Sequence, residues 1–224
     1  MSVRKAFHWW ALRFTISFSA VALPFGCTTM SAPPISSDAS IIAGQLKLTV
    51  SGEEISVFGS SGVTSATYAR GATGAKWATV GLCNETSGET YVARAVGPDG
   101  LFRIVNADPG QYIIQKLWCQ VQTHNSWVTF TTTFTTPPSF EVDPRRIVDL
   151  GVIEWEFAYD LPDSTSTGSV RFTQNFSPVK GEISRLVANT PWSAYEISKM
   201  TVNAEKSQPI SRVSSPMPGT WFVN

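Results

Sequence analysis

Few residues in this chain could do chemistry. Its 224 residues include three cysteines (Cys27, Cys83 and Cys119) and two histidines (His8 and His124). A serine or cysteine nucleophile with a histidine base would have to use His124, because His8 lies in a leader-like segment described below. His124 stands in Thr123–Ser126, a polar turn between two strand-like runs, and reads as an exposed loop histidine. No Gly-x-Ser-x-Gly elbow, phosphate-binding loop or Cys-x-x-Cys pair occurs. Zinc would need ligands that the chain lacks, so neither metal nor cofactor is expected. Paired carboxylates remain, since a glycosidase needs only two. Glu154 and Glu156 flank Trp155 and share one face of a strand. The simpler reading puts Ile153, Trp155 and Phe157 in the core and both glutamates in water. Asp160 and Asp163 lack the spacing of a calcium loop. A non-catalytic protein is expected.

Aromatic residues offer a different chemistry, because exposed Trp and Tyr stack on sugars. Six of the eight Trp follow residue 26. Trp127, beside His124, and Trp192, after a helical pattern, are the candidates for such a site. Trp77, Trp118 and Trp155 sit in strand-like runs and are expected in the core. Charge excludes another class of partner. With 17 Lys plus Arg against 17 Asp plus Glu, the chain lacks the basic excess that phosphate binding requires, and no nucleic acid is expected. Charged residues are 15% and hydrophobic ones 42%, against roughly 25% charged in an ordinary globular protein, so a disordered chain is excluded.

Residues 1–26 carry Arg4, Lys5 and Arg13 and no acid, then an apolar run from Phe14 to Phe25. That run is shorter than the roughly 20 residues of a membrane span and has the layout of a secretory signal peptide. Leu23-Pro24-Phe25-Gly26-Cys27 resembles the lipobox of bacterial lipoproteins, whose cysteine is acylated after cleavage. Gly26 and the Ser/Thr/Pro-rich stretch after Cys27 carry the resemblance, while Pro24 and Phe25 differ from the usual residues. The resemblance implies a lipid bilayer as partner through Cys27, and Thr28 suits outer-membrane sorting if the cell is Gram-negative. The competing reading is cleavage after Ala20-Val21-Ala22, giving a secreted or periplasmic protein. Loss of residues 1–26 leaves 14 basic and 17 acidic residues, a mildly acidic mature chain. If Cys27 carries lipid, Cys83 and Cys119 remain as an even pair in an oxidising compartment, where a disulfide is expected. The alternative is two buried free thiols.

The elements that must position these residues are mostly strands. Residues 27–40 read as a flexible tether, and 41–158 hold short β-type runs broken by turn residues, the pattern of a sandwich or barrel. Gln111–Gln122 looks like an interior strand. Val128, Phe130 and Phe134 alternate with Thr129, Thr131 and Thr133. The Gly-rich stretch 59–76 reads as a loop. In the C-terminal extension, 159–224, Val179, Ile183, Leu186 and Val187 fall on one face of a helix over about 178–189. Residues 203–224 read as irregular.

Gly97–Ile114, GPDGLFRIVNADPGQYII, resembles the signature of transthyretin-like (prealbumin-like) modules of the carboxypeptidase regulatory-domain type. Asp99-Gly100 makes one turn, Phe102 and Ile104 face inward, and Pro109-Gly110-Gln111-Tyr112 opens the next strand. The resemblance implies a mainly β fold, a seven-stranded Greek-key β-sandwich, here with a short C-terminal helical extension. It implies no activity. The expected function is that of an envelope lipoprotein with a structural or protein-binding role and an envelope protein partner. A glycan-binding module is the alternative, and a hydrolase with paired carboxylates comes third.

Overall fold

The structure is a computed structural model and describes residues 32–57, 74–97, 99–122, 127–160, 165–173 and 177–214. Its strands are β1 (Ser40–Val50), β2 (Glu53–Ile55), β3 (Gly74–Asn84), β4 (Thr90–Ala95), β5 (Leu101–Ala107), β6 (Gly110–Gln122), β7 (Trp127–Phe134) and β8 (Ser139–Val142). There follow β9 (Arg146–Asp160), β10 (Thr165–Thr173), helix α1 (Ser177–Val187), a 3-10 turn (Pro191–Ala194), β11 (Glu196–Lys199) and β12 (Pro209–Ser214). The chain is mainly β and forms two sheets. It has twelve strands among the described residues, where seven were expected.

The first sheet is built on a parallel pair. β1 runs alongside β9 from Ile41 opposite Ile147 to Val50 opposite Phe157. The far edge of β1 takes β5 and then β2, and the far edge of β9 takes β11 and then β10. The second sheet runs β12-β7-β6-β3-β4, with β8 continuing the row of β7 along β6. The extra strands have a simple origin. Two short strands in succession line one edge of a long one, and residues beyond 159 add β10, β11 and β12. The stretch expected to be irregular thus supplies an edge strand, opened by Pro209 where an unpaired N–H costs nothing.

Alternation decides what each strand buries. Ile42, Leu46 and Leu48 of β1 face the second sheet, meeting Val80, Leu82, Leu117 and Phe130 in the main core. Ile41 and Ala43 point the other way and are as fully buried, because α1 covers that face. The helix forms where its period requires, two residues short of the expected end, and buries Val179, Ile183, Leu186 and Val187. Each such side chain contributes about 1.5–3 kcal/mol relative to exposure. Pro178 sits in the first turn, where its missing N–H has no helical partner anyway. Asn189 takes φ 61° after the helix, and Thr190 Oγ1 donates to Val187 O (2.6 Å) while accepting from Trp192 N (3.3 Å).

The 97–114 region builds two of the corners that hold the sheets. Phe102, Ile104, Tyr112 and Ile114 are all buried, as their spacing predicts. Tyr112 Oη donates to Asp108 O at 2.7 Å, the tyrosine-corner geometry of β-sandwiches. The same corner is gripped by the fully buried Asn84, whose Nδ2 donates to Asp108 O and Pro109 O while Oδ1 accepts from Thr86 N and Ser87 N. On the other side, Gly100 has φ 62°, and a Cβ there would lie 2.1 Å from Leu46 O. Its own carbonyl accepts from Leu46 N at 2.8 Å, tying the β4–β5 turn to β1. At the opposite end of the sandwich Gly168 lets β10 approach β12, since a Cβ would fall 2.2 Å from Ser211 Oγ.

Gly100→Ala combines a left-handed backbone with a clash against main chain. It should lower stability by about 3 kcal/mol or more, read as a shift in the denaturation midpoint at unchanged slope; a change under about 0.5 kcal/mol would contradict this geometry.

Candidate functional site

The expected bridge between the cysteines does not form. Cys83 and Cys119 are both free thiols. They do lie on neighbouring strands, but Cys83 pairs with Ile113 and Cys119 with Ala78. Five residues along a strand separate the two positions by roughly 16 Å, against the 7 Å or less that a disulfide needs. Five is also odd, so Cys119 points into the core while half-buried Cys83 lies on the outer face. Burial pushes the Cys119 thiol well above its ordinary pKa and leaves it a small apolar side chain. Cys27 and His124 lie outside the described residues.

The tryptophans also rearrange. Trp192 is fully buried beneath α1, so it offers no surface for a ligand. Its role is internal: Nε1 donates to Ala32 O at 2.7 Å. Nearby, Asn106, held at φ 63°, accepts from Ile35 N (3.0 Å) and donates to Pro33 O (3.3 Å). The described part of the tether, residues 32–40, is thus clamped to the body before it enters β1. Asn106 lies near the end of β5. Its tolerance of positive φ is the signal that marks it.

Trp127 is half-buried at the start of β7. It shares the outer face of the second sheet with Trp118 and Trp77, which had been expected in the core. Trp118 packs over Gly81, where a Cβ would lie 2.9 Å from its ring, and Lys116 Nζ stands 4.5 Å from the ring centroid. Trp77 pairs with Gln120, and Trp118 with Thr79 and Thr131, which puts Trp77 and Trp118 on a diagonal of adjacent strands. Such diagonal neighbours sit about 7–8 Å apart. Trp155, in contrast, is a core residue, 1% exposed.

The carboxylates fit no hydrolytic pair. Glu154 and Glu156 point away from the core, as their alternation predicts, and Glu154 pairs with Arg171 of β10 at 3.8 Å. Asp163 lies outside the described residues. Among the described residues no cluster of three or more His, Cys, Asp or Glu is placed to hold a metal, and no helix is long and apolar enough to cross a membrane. One acid is unusual. Asp149 is fully buried at a β-bulge of β9, where Oδ1 accepts from Gly151 N (2.9 Å) and Oδ2 has no hydrogen-bond partner. Burial raises its pKa, with the Gly151 amide and the charges of Lys199 and Lys180 acting in the opposite direction.

A concave site lies under α1, where the edge strand β4 of the second sheet meets β5 of the first. It is a cleft of about 250 Å³ with Ala43, Leu101, Phe102, Ile183 and Leu186 as apolar walls and Arg94, Arg103 and Glu182 among its polar groups. The Glu182 carboxylate takes the Arg185 guanidinium (2.9 Å to Nε), which holds its pKa below the usual range, and Arg103 adds to the effect.

Comparisons with protein-family profiles, with curated proteins and with solved structures return no match for this chain.

Asp149 gives a pH dependence of known sign. Its raised folded pKa means that the folded protein holds this proton more tightly than the unfolded chain does. Its contribution to stability is therefore greatest below the ordinary carboxylate range and falls as pH rises through the folded value. Asp149→Asn keeps an oxygen for the Gly151 amide and carries no charge. Between about pH 3.5 and pH 7 the melting temperature of the variant should rise relative to wild type; a constant difference would show that no charge penalty exists there.

Proposed function

We propose that this chain is a lipid-anchored protein of the bacterial cell envelope, acylated at Cys27, with a non-catalytic structural or protein-binding role. The observation that carries the reading is the lipobox-like Leu23-Pro24-Phe25-Gly26-Cys27 behind the basic and apolar leader, and the clamp at Ala32 lies five residues beyond Cys27. An extended chain covers at most about 3.6 Å per residue, so a lipid on Cys27 would hold the folded body within about 18 Å of the anchor. The leader-like residues 1–26 support export, and Thr28 supports the outer membrane if the cell is Gram-negative. The transthyretin-like identity of the sandwich belongs to the same proposal, supported by the Asp99-Gly100 turn and the Pro109–Tyr112 corner.

Labelled palmitate should enter the wild-type protein and be absent from Cys27→Ala, with the variant released from the membrane fraction. Label persisting in the variant, or missing from the wild type, would sink the anchor. In that case a mature N-terminus at Leu23 would establish the cleavage after Ala22 in its place.

A second reading, glycan binding, is favoured by Trp77, Trp118 and Trp127 on one face with Gln120, Thr129 and Thr131 among them. The ring faces would meet sugar C–H groups and the amide and hydroxyls the sugar hydroxyls. A glycan array should give discrete hits that Trp118→Ala weakens about tenfold. An array with no hits, beside a specific protein captured from envelope extract, would return the face to protein binding.

A further inference from the structure

We infer that the cleft under α1 binds a single-chain amphiphile with an anionic head, of the long-chain carboxylate class. The inference does not depend on the anchor, and the cleft opens at the margin of the Trp-bearing face, where Arg94 lies opposite Thr79 and Thr79 opposite Trp118. Three observations lead to it. The first is shape: about 250 Å³ of open space at a place where two sheet edges and a helix meet, close to the lower end of the volumes that hold small ligands. At the other edge of the sandwich β10 and β12 approach closely at Gly168 and Ser211.

The second is the chemistry of the walls. Ala43, Leu101, Ile183 and Leu186 belong to the smaller core under α1 or pack against it, so a chain entering here extends an existing apolar cluster. Val96, 47% exposed, also lines the cleft and leaves an apolar side chain at its rim.

The third is charge. Arg94 and Arg103 line the cleft, and Glu182, the one carboxylate among its lining residues, takes Arg185 and also feels the charge of Arg103, so cations outnumber it there. Arg94 has no hydrogen-bond or ion-pair partner among the described residues. A mature chain with more acids than bases thus presents a cationic rim to an apolar slot. A carboxylate head can bridge planar guanidinium donors at the mouth while the alkyl chain removes apolar wall from water. A neutral alcohol of the same length would satisfy only the second half, and acetate only the first.

Photoaffinity labelling of the full chain with a diazirine analogue of decanoate tests this whether or not the protein is anchored to a membrane. Label should map to peptides from Leu101–Arg103 or Ile183–Leu186, and decanoate should compete at least about tenfold better than decanol. The double variant Arg94→Ala/Arg103→Ala should reduce labelling about tenfold, and Val96→Trp, a change at an exposed position that fills the mouth, should abolish it at unchanged melting temperature. Label on other peptides, equal competition by decanol, or labelling unchanged in both variants would each overturn the proposal.

Discussion

The parallel pairing of β1 with β9 is the constraint on which the rest of the structure depends. A parallel pair cannot be closed by a hairpin and needs a long crossover. Here the crossover holds every strand of the second sheet but β12, together with β2 and β5 of the first. Once the pair is made, both strands are central, and each needs further partners on its free edge. The N-terminal half supplies β5 and β2 to one side, and the C-terminal segment supplies β10 and β11 to the other. Central position also buries both faces of β1. Its inner face finds the second sheet, but its outer face, with Ile41 and Ala43, would stand in water without α1. The described residues beyond 159 are therefore integral to the sandwich. They close one edge, cover one face and add an edge strand to the opposite sheet.

This division makes the two outer faces chemically unlike. The face of the first sheet is spent on packing a helix and clamping the N-terminal segment, and its polar groups pair locally, as Arg185 does with Glu182 and Arg146 with Glu196. No such helix covers the second sheet among the described elements, and its outer face mixes Trp, Thr, Gln and Lys in ordered rows.

What could be read in the sequence was local. Helix α1 announced itself through one period of apolar residues, β7 through strict alternation, and the 109–112 corner through Pro, Gly and Tyr at fixed offsets. What could not be read was parity across a bulge. Tyr112 and Ile114 face inward at even positions, but Gln115 is an extra residue opposite Gly81 and Leu82, after which Leu117, Cys119 and Val121 face inward at odd ones. Without that residue Trp118 would lie in the core, where its apolar neighbours suggested it belonged. The shift also sets the inward direction of Cys119 that rules out a bridge to Cys83. Trp192 was misplaced for a different reason. Its burial depends on Ala32, 160 positions away, and no local pattern carries such a contact.

The bond between Trp192 and Ala32 also orders events in time. A chain synthesised from its N-terminus delivers residue 32 long before residue 192, and until the later residue arrives the indole that closes the clamp is absent. Throughout that interval Ala32 lacks the donor that holds it in the finished fold. Completion of the fold then ends the interval by drawing Ala32 against the body. A hydrogen bond that looks like a late structural detail thereby separates a period in which the chain at Ala32 is loose from one in which it is held.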